Sequence, residues 1–153
     1  MKRLREFVYH EPESLDEAVR LLADAGEGAR VLAGGTDLIV DMKTGRMRPS
    51  TVVNLKRIPG LAGIDDDEGT TRIGALTKVP AVEESRLVQQ RHPALAQAAS
   101  ILASPPVRAL ATIGGNVGRA SPASDLGPAL IVHEARAAIT GAGRSRDELV
   151  EDL

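Results

Sequence analysis

Apolar residues recur at Leu15, Ala18, Val19 and Leu22, and this spacing predicts an amphipathic helix from about residue 15 to 25. Ser14 and Glu17 stand before it in the form of a capping box, and Gly26 is placed to end it. The pattern then shortens. Arg30 to Ala33 reads as a strand, Gly34-Gly35 as a turn, and Asp37 to Lys43 as a short apolar helix that Gly45 can cap. The β-branched run "TVVNL", residues 51 to 55, predicts a buried strand of the same small sheet. Beyond Pro59-Gly60 the character changes: "LAGI" and "TRIGAL" flank the acidic "DDDEG", residues 65 to 69, which reads as the tip of an antiparallel hairpin. Thr77 is a candidate cap for a helix running to about Leu87, and a second helix spans Pro93 to Ala103 before Ser104-Pro105-Pro106 stops it. "ATIGGNVG" reads as a loop, Asp125 to His133 as a helix, and Ala137 to Thr140 as a last strand before a glycine-rich turn. The chain therefore reads as α+β in two lobes, residues 1–57 and 58–153, with no repeat of solenoid spacing.

Composition narrows the functional classes. A chain of 153 residues buries roughly 68–70% of its unfolded surface, enough for a real core. With 19 basic and 21 acidic residues there is no strong field to recruit nucleic acid or an anionic membrane. Phe7 and Tyr9 are the only aromatics, so a planar ligand has to lie mainly on aliphatic side chains. Cysteine is absent, which excludes disulfides, thiolate zinc sites and cysteine-held iron–sulfur clusters within this chain. No segment approaches the roughly 20 apolar residues that cross a bilayer, and the basic N-terminus lacks the apolar run of a signal peptide. The expectation is a soluble, unprocessed, cytoplasmic protein.

The candidate chemistry lies in two glycine pairs. Glycine has no Cβ to hold a ligand away from the main chain and tolerates positive φ, so consecutive amides at Gly34-Gly35-Thr36 can face one anion. The helix starting near Asp37 adds further unsatisfied amides, although the Asp37 carboxylate competes for that positive end and has to point away if a phosphate binds. A plain tight turn accounts for the same residues. Thr112, Gly114, Gly115 and Asn116 combine a hydroxyl, two bare backbone positions and a side-chain amide, a set suited to an oxygen-rich ligand or to a structural turn. Ser124 or Asp125 reads either as a helix N-cap or, for Asp125, as an acceptor for a ligand hydroxyl. Neither the dinucleotide G-x-G-x-x-G nor the P-loop pattern is present. His10, His92 and His133 show no ligand spacing and read as surface or packing groups. Lys43, Arg46 and Arg48 read as a solvated face, while Arg108 and Arg119 flank the second glycine pair and stay candidates for a role there.

These segments, together with "F-x-Y-x-x-P-x-S-x-x-E-A" at Phe7 to Ala18, "LAGGTDLIVDMK", "VVNL", "IGALT" and "ATIGGNVGRASPASDL", resemble the FAD-binding subunit of molybdenum hydroxylases, the carbon monoxide dehydrogenase and xanthine dehydrogenase flavoproteins. Their order and spacing hold across nearly all of the chain. The resemblance implies a two-lobed FAD-binding domain of the vanillyl-alcohol-oxidase type, C-terminally truncated, with FAD extended between the lobes. It implies a first pyrophosphate loop at Val31, Leu32, Ala33, Gly34, Gly35, Thr36, Asp37 and Leu38, with Leu38 near the flavin. A second loop falls at Thr112, Ile113, Gly114, Gly115 and Asn116, Asp125 meets an FAD hydroxyl, and Leu102 lies near the adenine. The chain itself would then carry no catalytic acid or base and no metal. The resemblance further implies a molybdopterin-containing large subunit and a [2Fe-2S] small subunit as partners, with electrons passing from the iron–sulfur clusters through FAD to an acceptor. The alternatives are a truncated interaction or assembly module that keeps the fold without functional FAD, and another enzyme of the same flavin superfamily, such as an enolpyruvyl reductase.

Overall fold

In a computed structural model, which describes residues 4–153, the N-terminal part is a three-stranded parallel sheet of order β1-β3-β2 with two helices. The strands are β1 (Val8–His10), β2 (Ala29–Leu32) and β3 (Thr51–Asn54), and the helices are α1 (Leu15–Ala25) and α2 (Leu38–Thr44). The helix α1 has the predicted bounds. Ser14 Oγ accepts from the Glu17 amide at 3.2 Å, while the Glu17 carboxylate reaches back to the amide of Glu13, one residue before the usual capping-box partner. All four residues of β3 are buried because a neighbouring strand lies on each side and Ala18, Val53 and Ile58 form the local core, with Leu61 packed against it. Buried Asn54 is satisfied by donating to Tyr9 Oη at 2.7 Å and Glu11 Oε1 at 2.8 Å, so Tyr9, itself a residue of β1, serves as an acceptor.

The hairpin of β4 (Ile64–Asp67) and β5 (Thr70–Ile73) is tighter than expected. Glu68 (φ 50°) and Gly69 (φ 92°) alone make the turn, a two-residue connection with positive φ at both positions, and Asp65, Asp66 and Asp67 are strand residues. Asp66 is free to hold Arg91 through two hydrogen bonds of 2.7 Å, and this pairing lowers the Asp66 pKa and raises that of Arg91. The helix expected from Thr77 to Leu87 is two helices, α3 (Val79–Glu84) and α4 (Arg86–Arg91). Ser85 breaks the run and caps α4 through the Val88 amide at 3.3 Å. Thr77 caps nothing: its hydroxyl bonds both the amide and the carbonyl of Gly63, pinning the hairpin base to α3.

The larger core gathers Val79, Val82, Val88, Leu95, Ala99 and Leu126 with their neighbours from α3, α4, α5 (Pro93–Ile101), α7 (Ile113–Arg119) and α8 (Leu126–Val132); α6 is the single turn Pro105–Arg108. A second hairpin, β6 (Arg136–Gly141) with β7 (Arg144–Leu149), follows α8. Two strands were not anticipated: β1, only three residues long, and β7, whose "RSRDEL" is mostly exposed and carries no apolar alternation. Among the described residues no helix is long and apolar enough to cross a membrane.

Candidate functional site

The carboxyl ends of the parallel strands define where a site can form. Leu32, the last residue of β2, pairs with Asn54, and the chain then turns through Ala33 to Asp37 into α2. Gly35 makes this turn with φ +78°, the left-handed region that favours glycine. Gly34 answers a different need: a Cβ there would overlap the carbonyl oxygen of Leu110, so the turn lies directly on the main chain of the C-terminal part. Lys56 Nζ donates to the Ala33 carbonyl at 3.1 Å. Among the described residues, no main-chain acceptor is bonded by the amides of Gly34, Gly35, Thr36 or Asp37. Four consecutive donors without main-chain partners are costly unless water or a ligand receives them. Asp37 does not relieve them, because its side chain makes no cap hydrogen bond with α2.

The second glycine pair corrects the sequence reading. "TIGGNVG" is no loop; it is the first two turns of α7, capped by Thr112, whose Oγ1 accepts from the Gly115 amide at 3.1 Å. Its amides are engaged: Ile113 donates to Thr77 O at 3.0 Å, Gly114 to Ala75 O at 2.9 Å, and Asn116 to Thr112 O at 3.0 Å. A Cβ on Gly114 would lie 2.7 Å from the Ala75 oxygen, so that glycine is a packing requirement. This wall offers side chains instead of bare backbone. Asn116 Oδ1 accepts from Ser124 Oγ at 2.5 Å, which turns the amide nitrogen of Asn116 into the group left to donate. Ser124 Oγ also accepts from the Gly127 amide at 3.0 Å and thereby caps α8, so the capping role falls to Ser124 and Asp125 makes no cap bond.

Between these walls runs a cleft of about 840 Å³. Val31, Ala33 to Leu38, Leu102, Thr112, Gly114, Gly115, Asn116 and Asp125 all line it, bringing together segments far apart in the chain. Leu32 and Ile113 do not. The Leu32 side chain packs beneath Gly35, and Ile113 is 6% exposed within the larger core, as the alternation of a strand and the inward face of a helix require. Leu102 reaches the edge of the cleft beside Val107 but is itself buried in the larger core, with no aromatic nearby to stack on.

Residues 5–153 match the model of the protein family described as the FAD binding domain in molybdopterin dehydrogenase. The chain belongs to this family. It is similar to the carbon monoxide dehydrogenase medium chain of Hydrogenophaga pseudoflava, 40% identical over 135 residues, covering 88% of this chain and 47% of the relative. It is 33% identical to the xanthine dehydrogenase FAD-binding subunit of Escherichia coli O157:H7, over 84% of this chain and 44% of that subunit. The solved carbon monoxide dehydrogenase of Oligotropha carboxidovorans superposes with a TM-score of 0.95 at 34% identity, over 99% of this chain and 53% of the matched chain. The FAD binding domain described here thus spans about half the length of the curated relatives it matches.

Several cleft residues of this FAD binding domain had no signal in the sequence. Arg30 lines the cleft from β2, its guanidinium tied to the carbonyls of Glu27 and Ala29 at 2.8 and 2.6 Å. Of the two arginines flanking the second glycine pair, only Arg119 lines it; Arg108 instead donates to the carbonyls of Ser100 and Leu102 and so fixes the end of α5. Arg30 and Arg119 balance Asp37 and Asp125, leaving a cleft of mixed sign. Away from it, His92 and His133 meet edge to face with ring centroids 4.7 Å apart, a pairing that their sequence positions did not suggest. Burial first, then His133 and Arg91, holds the His92 pKa below its usual 6.5. Among the described residues no group of three or more His, Asp or Glu is placed to hold a metal ion.

Proposed function

We propose that this chain is the FAD-binding redox domain of a molybdenum hydroxylase-type dehydrogenase, with FAD lying along the cleft between lobes 1–57 and 58–153. The observation that carries the reading is the row of main-chain amides from Gly34 to Asp37, which bond no main-chain acceptor among the described residues and open on a cleft large enough for an extended ligand. Hydrogen bonds to a charged acceptor contribute roughly 1.5–3 kcal/mol each, so a diphosphate is well matched to such a row. The Asn116 amide, oriented by Ser124, reaches the ligand from the opposite wall, and Asp125 accepts from a ligand hydroxyl. Leu38 and Val31 supply the aliphatic contact that a planar ring needs in a cleft without aromatics, with the buried Leu102 behind the wall.

When bound, the isoalloxazine supplies a redox centre that takes up electrons and passes them to an acceptor. The residues of this chain bind and orient; no side chain here is assigned a proton transfer. Family membership supports partners that hold a molybdopterin centre and iron–sulfur clusters, because this chain has no cysteine to ligate a cluster of its own.

The test is calorimetric titration of the purified chain with FAD, followed by thermal unfolding with and without ligand. At 100 times its dissociation constant FAD stabilises the fold by about 2.7 kcal/mol, seen as a rise in Tm. A folded chain that neither binds FAD nor shows the rise refutes the proposal and leaves an interaction or assembly module as the reading.

A further inference from the structure

Asp41 is the most deeply buried charged residue described, with its side chain 5% exposed, and the binding residues above do not account for it. It lies on α2, directly after the first glycine turn, and its Oδ2 is 2.9 Å from Nη1 of Arg119. Its other oxygen is 3.6 Å from Arg46 Nε, at the exposed end of the same segment. Arg119 stands in the last turn of α7, the helix that the second glycine pair opens. Among the described residues this is the one hydrogen bond or ion pair that joins α2 to α7. A carboxylate withdrawn from water is tolerated only while its partners stay close, so the pair holds the two helices at one separation.

We propose that the Asp41–Arg119 pair is a strap that sets the distance between the two walls of the cleft, and through it the affinity for a diphosphate. This rests on the reading of the cleft as the FAD site. Both are positioning residues: the strap acts by placing the Gly34–Asp37 amides opposite Asn116, with Arg119 committed to Asp41 and not to the ligand. The rival role for Arg119, direct pairing with phosphate, predicts different energetics, since freeing it from Asp41 would then strengthen binding.

The experiment is a double-mutant cycle on the whole chain, with Asp41→Asn, Arg119→Gln and the double variant titrated separately with FAD and with ADP, at a temperature where circular dichroism shows all four proteins folded. Each single change is expected to weaken both ligands about tenfold, with the double variant no worse than either, as for two residues that act as one unit. Unchanged or tighter binding by Asp41→Asn, or losses that simply add, overturns the strap. A second readout needs no ligand. The chain has no cysteine, so spin labels at Lys43→Cys on α2 and Ala120→Cys after α7 report the separation of the helices. The distance distribution is expected to broaden on Asp41→Asn, and an unaltered distribution also overturns the strap. If the unsubstituted chain binds no FAD, the site reading fails and the label distances alone decide the strap.

Discussion

The two glycine pairs look alike in the sequence and are used in opposite ways. At Gly34-Gly35 the chain turns sharply after a parallel strand and leaves its amides without main-chain acceptors. At Gly114-Gly115 it enters a helix, spends its amides on Ala75, Thr77 and Thr112, and meets the cleft with side chains. Glycine-glycine therefore reports absent side chains and nothing more; whether the exposed backbone is available to a ligand depends on what the neighbouring elements bond first.

The difference can be broken or sharpened by substitution. The largest effect is expected at Gly34→Ala, which drives a Cβ into the Leu110 carbonyl; overpacking against rigid main chain costs about 3 kcal/mol, measured as a fall in denaturation midpoint without ligand. Gly35→Ala comes next, because the φ of +78° imposes about 1–2 kcal/mol of strain on a residue with a Cβ, and calorimetry should show FAD affinity falling with it. On the helical side Thr112→Val removes the α7 cap and costs about 1 kcal/mol of stability, with FAD affinity of the folded chain falling less than for Gly35→Ala. Equal losses of FAD affinity at Gly35 and Thr112 would erase the distinction.

The smallest expected effect sharpens it from another direction, by stressing only the C-terminal part. The folded pKa of His92 is depressed, so the folded chain binds fewer protons than the unfolded one below pH 6.5. The associated stability is complete above pH 6.5 and is lost as pH falls from there through the lower folded value. Urea unfolding at a series of pH values should show this slope, and His92→Gln should flatten it. A slope that survives the substitution would place its origin elsewhere.

Much of the fold was legible because its pattern is local. The α1 periodicity, the run of β3 and the Gly45 cap of α2 each carry their own signal, and the structure follows them. The elements that were not legible depend on partners, distant for β1 and adjacent for β7, and not on a pattern of their own. β1 and β7 become strands through pairing with β3 and β6, not through apolar alternation. α7 contains three glycines, each unfavourable in a helix interior by about 1 kcal/mol, and forms because Thr112 caps it and Gly114 packs on Ala75. In the site, the segment Val31 to Leu38 was visible as a glycine turn between a strand and a helix. Arg119 was visible as a neighbour of the second glycine pair, but its pairing with Asp41 was not, since an arginine and an aspartate 78 positions apart give no sign in the sequence that they meet.

The seat of Gly34 on the Leu110 carbonyl ties the cleft floor to chain synthesised long after the glycine turn itself. A nascent chain can form α1 and the three parallel strands early, yet the surface opposite Gly34 does not exist until Leu110 has left the ribosome. Closing so long a loop carries an entropic cost before any contact repays it. On the proposed reading, the cradle for a diphosphate is therefore complete only once Leu110 has emerged, not when the glycine turn itself is made.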